Sequence, residues 1–150
     1  MSNRDNPRNN PNPTVGFIRD FVDELTPELI DIRRRIHAEP ELSWCEERTT
    51  ELVANYLDKA NVAVTLLDHT GLFADLGPSE GPIVALRSDL DALPIDDTTS
   101  DPWKSKIPGV AHACGHDIHT TALLGAGLAL AKTHQKVGLP FRVRLIFQPA

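Results

Sequence analysis

The stretch "PIVALRSDLDALP", Pro82 to Pro94, changes character halfway along. Its first half is a continuous apolar run, the pattern of a strand that lies inside a sheet. Its second half carries Asp89 and Asp91 and closes on a proline, which interrupts regular structure. The two aspartates share strand parity and therefore point the same way. They fall at the carboxyl end of the strand, where open α/β sheets gather their ligands. Carboxylates next to so apolar a run need a cation or donors, and Arg87 is the ordinary structural partner for one of them.

Upstream the period is helical. Ile18, Phe21, Val22 and Leu25 recur at helix spacing. "TPEL", Thr26 to Leu29, reads as a restart, with Thr26 as N-cap and Pro27 at the first helical position. Leu29, Ile32 and Ile36 mark the buried stripe, and Glu39–Pro40 ends it. "SWCE", Ser43 to Glu46, reads as a capping box opening a third helix with Leu52, Val53, Tyr56 and Leu57 inward. "NVAVTLL" (61–67) and "LFADL" (72–76) alternate as strands do. Downstream comes a loop, "DALPIDDTTSDPWKSKIPGV" (91–110), then a helix, "TTALLGAGLALAKTHQK" (120–136), in which Gly125 and Gly127 mark close packing. A strong strand, "FRVRLIF" (141–147), follows. This order predicts an α/β fold. A strand so apolar needs covering, and little chain follows it, so residues 14–150 are expected to be the N-terminal part of a longer protein.

Composition narrows the function. The 150 residues are 41% hydrophobic with a formal net charge of -6, which argues against nucleic acid or an anionic membrane as a partner. Two cysteines, Cys45 and Cys114, are too few for a disulfide framework, so a cytoplasmic setting is expected. "MSNRDNPRNNPNP", residues 1–13, has no apolar core for a signal peptide and reads as a disordered polar tail.

"HACGHDIHT", His112 to Thr120, concentrates the chemistry. Cys114 and His116 are separated by one glycine that lets the backbone bend, and a thiolate with an imidazole suits Zn²⁺, Co²⁺ or Mn²⁺. Asp117 is placed to orient an imidazole or to cap the following helix, while His112 and His119 are candidates for supporting donors or substrate contacts. Two ligands do not complete a site. Cys114 as a nucleophile with a histidine base is a second reading, separable by chelation against thiol alkylation. A zinc deaminase fits worse, because the glutamate and "PCxxC" of that chemistry are missing. Arg33, Arg34 and Arg35 suit a helix C-terminus, and His37 is expected to cap or pack there. Cys45 reads as a small buried side chain, His69 and His134 as surface residues, and Trp44 and Trp103 as either core or substrate-facing.

Four motifs, "RRRIHAEPELSWCE", "VALRSDLDALPI", "HACGHDIHTTALLGAG" and "RLIFQPA", occur in that order. Together they resemble the metal-dependent amidohydrolase branch of the aminoacylase/carboxypeptidase superfamily, over about Pro27 to Ala150. Hippurate hydrolase, N-acetyldiaminopimelate deacetylase and the indole-acetyl-amino-acid hydrolases belong to this branch. The resemblance implies a catalytic domain with a mixed sheet between helices, two divalent metal ions (Mn²⁺, Zn²⁺ or Co²⁺), a lid domain and a homodimer formed through that lid. It implies hydrolysis of the amide of N-acyl amino acids. It places Cys114 and His116 as metal ligands, Asp91 as the aspartate that orients a ligand, and Asp89 as a supporting residue. It also implies that "FQPA" is followed by two glutamates, a general base and a ligand. Residues 1–150 alone are therefore expected to turn over little or nothing, and to be at most a weak metal-binding module.

Overall fold

In the computed structural model, which describes residues 13–150, the apolar stripes of the first sixty residues belong to two helices. α1 runs unbroken from Pro13 to Ala38 with Pro27 inside it. The expected restart does not occur: Thr26 Oγ1 donates to the Val22 carbonyl at 2.8 Å instead of capping. Proline inside a helix forfeits a hydrogen bond. The stripe Phe21, Leu25, Leu29, Ile32 and Ile36, which continues through it, packs on one core and offsets that loss. The expected disordered tail lies outside the described residues except for Pro13, the first residue of α1.

α2 spans Glu47–Lys59, and Ser43 does not cap it. Glu41 does that work from six residues ahead of the helix. Its buried carboxylate accepts from the backbone N–H of Arg48 at 3.0 Å and of Thr49 at 2.8 Å, two of the free donors that every helix start presents. α3 spans His116–Val137, four residues longer at its start than the apolar pattern indicates.

Four strands, β1 (Val64–Leu66), β2 (Leu72–Leu76), β3 (Ile83–Asp89) and β4 (Arg142–Gln148), form a mixed sheet in the order β1-β2-β4-β3. β2 is antiparallel to both β1 and β4, whereas β3 and β4 are parallel and end together at Asp89 and Gln148. Along β4, Val143, Leu145 and Phe147 are buried while Arg142, Arg144 and Ile146 are not, the period of two that a half-covered sheet imposes. Within the described residues β3 is an edge strand, not an interior one, and Ile83 and Val84 remain exposed. Its apolarity registers a need for cover without saying which element supplies it.

The core joins Ile32 and Ile36 of α1, Val53 and Leu57 of α2, Leu124 and Leu128 of α3, and Leu72, Leu145 and Phe147 of the sheet. Gly125 and Gly127 let α3 approach closely: a Cβ on either would come within 3 Å of Leu29 or Leu145. β3, α3 and β4 form a βαβ unit, so the start of α3 faces the carboxyl rim of the parallel pair. No helix among the described residues is long and apolar enough to cross a membrane.

Candidate active site

His116 opens α3, directly after Gly115, which has φ of 90°. Its Nδ1 lies 2.9 Å from Asp91 Oδ1 and 2.9 Å from the Asp91 backbone oxygen. Both of those oxygens only accept, so Nδ1 carries the proton and donates. The lone pair of the ring is then on Nε2, the arrangement in which a histidine serves as a ligand. Asp91 is itself fixed, because Ser43 Oγ donates to its Oδ2 at 2.9 Å. Cys114 is exposed and its sulfur is free. His119 is exposed on the same turn, its ring centroid 6.1 Å from that of His116.

The two aspartates of the opening motif part company. Asp89 accepts from Arg87 Nη2 at 2.6 Å, the ordinary ion pair, and Arg87 Nε also donates to Gln148 at 2.6 Å. Asp91, past the end of β3, turns to His116.

Asp117 caps nothing and orients a different imidazole from its neighbour's. Fully buried, it accepts from His37 Nδ1 of α1 at 2.7 Å and lies 2.8 Å from Arg33 Nε. The Arg33 contact is ionic only, since its N–H is not aimed at the oxygen. His37 Nε2 is 3.4 Å from Asp97 in the loop that precedes α3. Arg33 and His37, four residues apart on one helix face, thus clamp the first turn of α3. Their spacing was visible in "RRRIH", but their partner was not. His112 is buried 6.5 Å from the His37 ring, both of its nitrogens without a partner. Burial lowers its pKa to about 4, so it stays neutral at pH 7, and no surface is left for substrate to touch.

The turn that supplies Ser43 is tight. Cys45 N–H donates to the Leu42 carbonyl at 2.9 Å, and Leu42 bridges to Ala92. Trp44, third in the turn, has φ of 64°. Glycine is the default there, and another side chain costs roughly 1–2 kcal/mol. Cys45, expected to be buried, is exposed at the end of this turn, because the turn projects outward and it is Glu46 that goes inside.

Comparison with known proteins bears on this arrangement. Residues 85–150 match the profile of "Peptidase family M20/M25/M40", a span that includes Asp89, Asp91, Cys114 and His116. This segment is similar to that family. The chain is 48% identical over 129 residues to the N-acetyl-L-cysteine deacetylase of Bacillus subtilis (strain 168), covering 84% of itself and 30% of that protein. It is 50% identical over 124 residues to a Rhodococcus jostii (strain RHA1) protein named, provisionally, glutamate–cysteine ligase 2-3, covering 82% of itself and 15% of that protein. The chain thus spans less than a third of either relative. Among solved structures, the Bacillus subtilis YXEP protein, described as a dinuclear metal-binding peptidase from the M20 family, superposes with a TM-score of 0.76 at 38% identity. That superposition covers 88% of this chain and 36% of that one. The α/β architecture with a mixed sheet is thus that of M20 family structures.

The donors present fit a divalent ion in kind: an exposed thiol and an imidazole whose Nε2 is free. They do not complete a shell. Among the described residues no group of three or more histidines, cysteines, aspartates or glutamates converges to hold an ion, and Asp89 and Asp117 are held by arginines.

Proposed function

We propose that the complete protein is a cytoplasmic metallo-amidohydrolase that cleaves the amide of N-acyl amino acids, with Cys114 and His116 ligating divalent metal. Residues 14–150 would form the N-terminal part of its catalytic domain. The observation that carries this reading is the Asp91–His116 pair, a carboxylate and a carbonyl that hold the ring proton on Nδ1 and leave the lone pair on Nε2, two residues along the chain from the exposed thiol of Cys114. The family match and the deacetylase likeness support it.

A bound divalent ion would supply Lewis acidity, polarising the amide carbonyl and acidifying water. The chain's own residues do the rest of what is visible. Asp91 sets the tautomer of His116, Ser43 fixes Asp91, and the Arg33–His37 clamp on Asp117 fixes the helix turn that carries the ligand. His119, exposed beside His116, takes a substrate-facing place. The reaction breaks the C–N bond, leaving the water oxygen on the acyl carbon and a proton on the amine.

By this reading the complete protein holds two ions, Mn²⁺, Zn²⁺ or Co²⁺, and pairs as a homodimer, while residues 1–150 alone turn over little or no amide. The test is hydrolysis of N-acetyl-L-cysteine and N-benzoylglycine by the complete protein. Activity should vanish with a chelator and return with added metal. Turnover that survives chelation but is lost on thiol alkylation would favour Cys114 as a nucleophile instead.

A further inference from the structure

At Trp44 the fold places a tryptophan where its backbone favours glycine. The turn Leu42–Cys45 has a positive φ at its third residue and not at its second, which is the type II pattern. The other non-glycine residue with positive φ among those described is Asn61, just past the end of α2, a residue type and a place where that conformation is common. Trp44 has neither excuse. Nor do the described residues enclose its side chain, since Trp44 is 61% exposed, whereas Trp103 lies beneath the Arg34 guanidinium at 4.2 Å.

The strain is held in place from both sides. Leu42 is bridged to Ala92, Cys45 N–H closes the turn, and the next residue, Glu46, is fully buried with its carboxylate accepting from Thr70 Oγ1 at 2.6 Å. The backbone that carries the indole is therefore held in a fixed place. That place is one residue from Ser43, whose hydroxyl bonds Asp91, which holds His116. Strain that the surroundings maintain, in a side chain the core does not need, points to function.

We propose that Trp44 is a specificity-determining residue of this site, its indole forming the wall for the apolar part of a bulky acyl group, aryl or long aliphatic. The proposal rests on the hydrolase reading above. Its chemistry follows from the surroundings: Asp91, Cys114, His116 and His119 are all polar, and the exposed indole of Trp44 offers an aromatic face on which a hydrocarbon acyl group shelters from water.

The experiment compares complete wild-type protein with Trp44→Gly and Trp44→Phe, using N-benzoyl and N-acetyl derivatives of one amino acid. Thermal melting, steady-state kinetics and calorimetric binding are measured on each. Trp44→Gly relieves the backbone, so it should melt at or above the wild-type temperature. Its ratio of benzoyl to acetyl kcat/KM should fall roughly tenfold, carried by KM, and Trp44→Phe should recover most of it. A lower melting temperature with both substrates affected alike, or an unchanged ratio, overturns the proposal. Should wild type bind the benzoyl compound and Trp44→Gly bind it more weakly, with neither substrate hydrolysed, the hydrolase reading fails while Trp44 stands as a binding residue. If wild type binds neither compound, both fall.

Discussion

A histidine's two nitrogens are chemically opposite in the neutral ring, and which one is free depends on what the other touches. At His116 the choice is made by Asp91 through two acceptors, each 2.9 Å from Nδ1. Removing the carboxylate leaves the backbone oxygen alone to hold the ring, and also frees Ser43. Asp91→Ala should therefore weaken divalent-metal binding by the complete protein roughly 10- to 100-fold, read by metal titration of the apo form. His112 illustrates the opposite case, a ring with both nitrogens buried and unpartnered. Its folded pKa of about 4 lies below the ordinary 6.5, so the unfolded chain takes up its proton first. The stability tied to the neutral ring is whole above pH 6.5 and drains away as pH falls towards 4, on the order of 3 kcal/mol. His112→Phe keeps a ring and removes the titration. Urea unfolding between pH 7 and 4.5 should show a flatter loss for the variant than for wild type. The Asp75 carboxylate, held well below the usual range by Arg144 and Arg142, is common to both proteins and cancels in the comparison.

At the scale of elements, caps and close approaches were the least legible features. "SWCE" satisfies the pattern of a capping box, yet Ser43 reaches Asp91 and Glu46 reaches Thr70, while Glu41 caps α2. Side chains of this kind bond to whichever donor the fold brings near, and a four-residue pattern does not contain that information. The helical stripes and strand alternations were legible, because periodicity reports burial directly. The glycines divide similarly. Gly125 and Gly127 announced close packing from within a helical pattern, whereas Gly71 looked like any turn residue. In the structure Gly71 has φ of 79°, and a Cβ there would collide with the Pro149 side chain and the Phe147 carbonyl oxygen. Gly71→Ala should cost at least about 2 kcal/mol, from the backbone conformation and the collision together. Chemical denaturation measures it.

Across the whole molecule, α1 and α3 are tied by an ion cluster whose members lie far apart in the chain. Asp117 and His37 are 80 residues apart, and Asp117 is fully buried beside Arg33. Uncoupling a buried charge from its partners is expensive. Asp117→Asn should lower stability by about 3 kcal/mol, and hydrogen exchange should show earlier opening at the first turn of α3 than at its middle. Local pattern was enough to give the strands, the helix between the parallel pair and the α/β class, though not that one helix runs through Pro27, and to bring Cys114, His116 and Asp91 forward as chemistry-bearing residues. Those features depend on neighbours within a few turns or one strand. Which carboxylate meets His116, which helix grips Asp117, and that β3 stands at the edge of the described sheet were settled by contacts between distant segments. Such contacts are won in competition among many near-equal pairings, and it is the packing of the assembled core, not any short stretch of residues, that separates them.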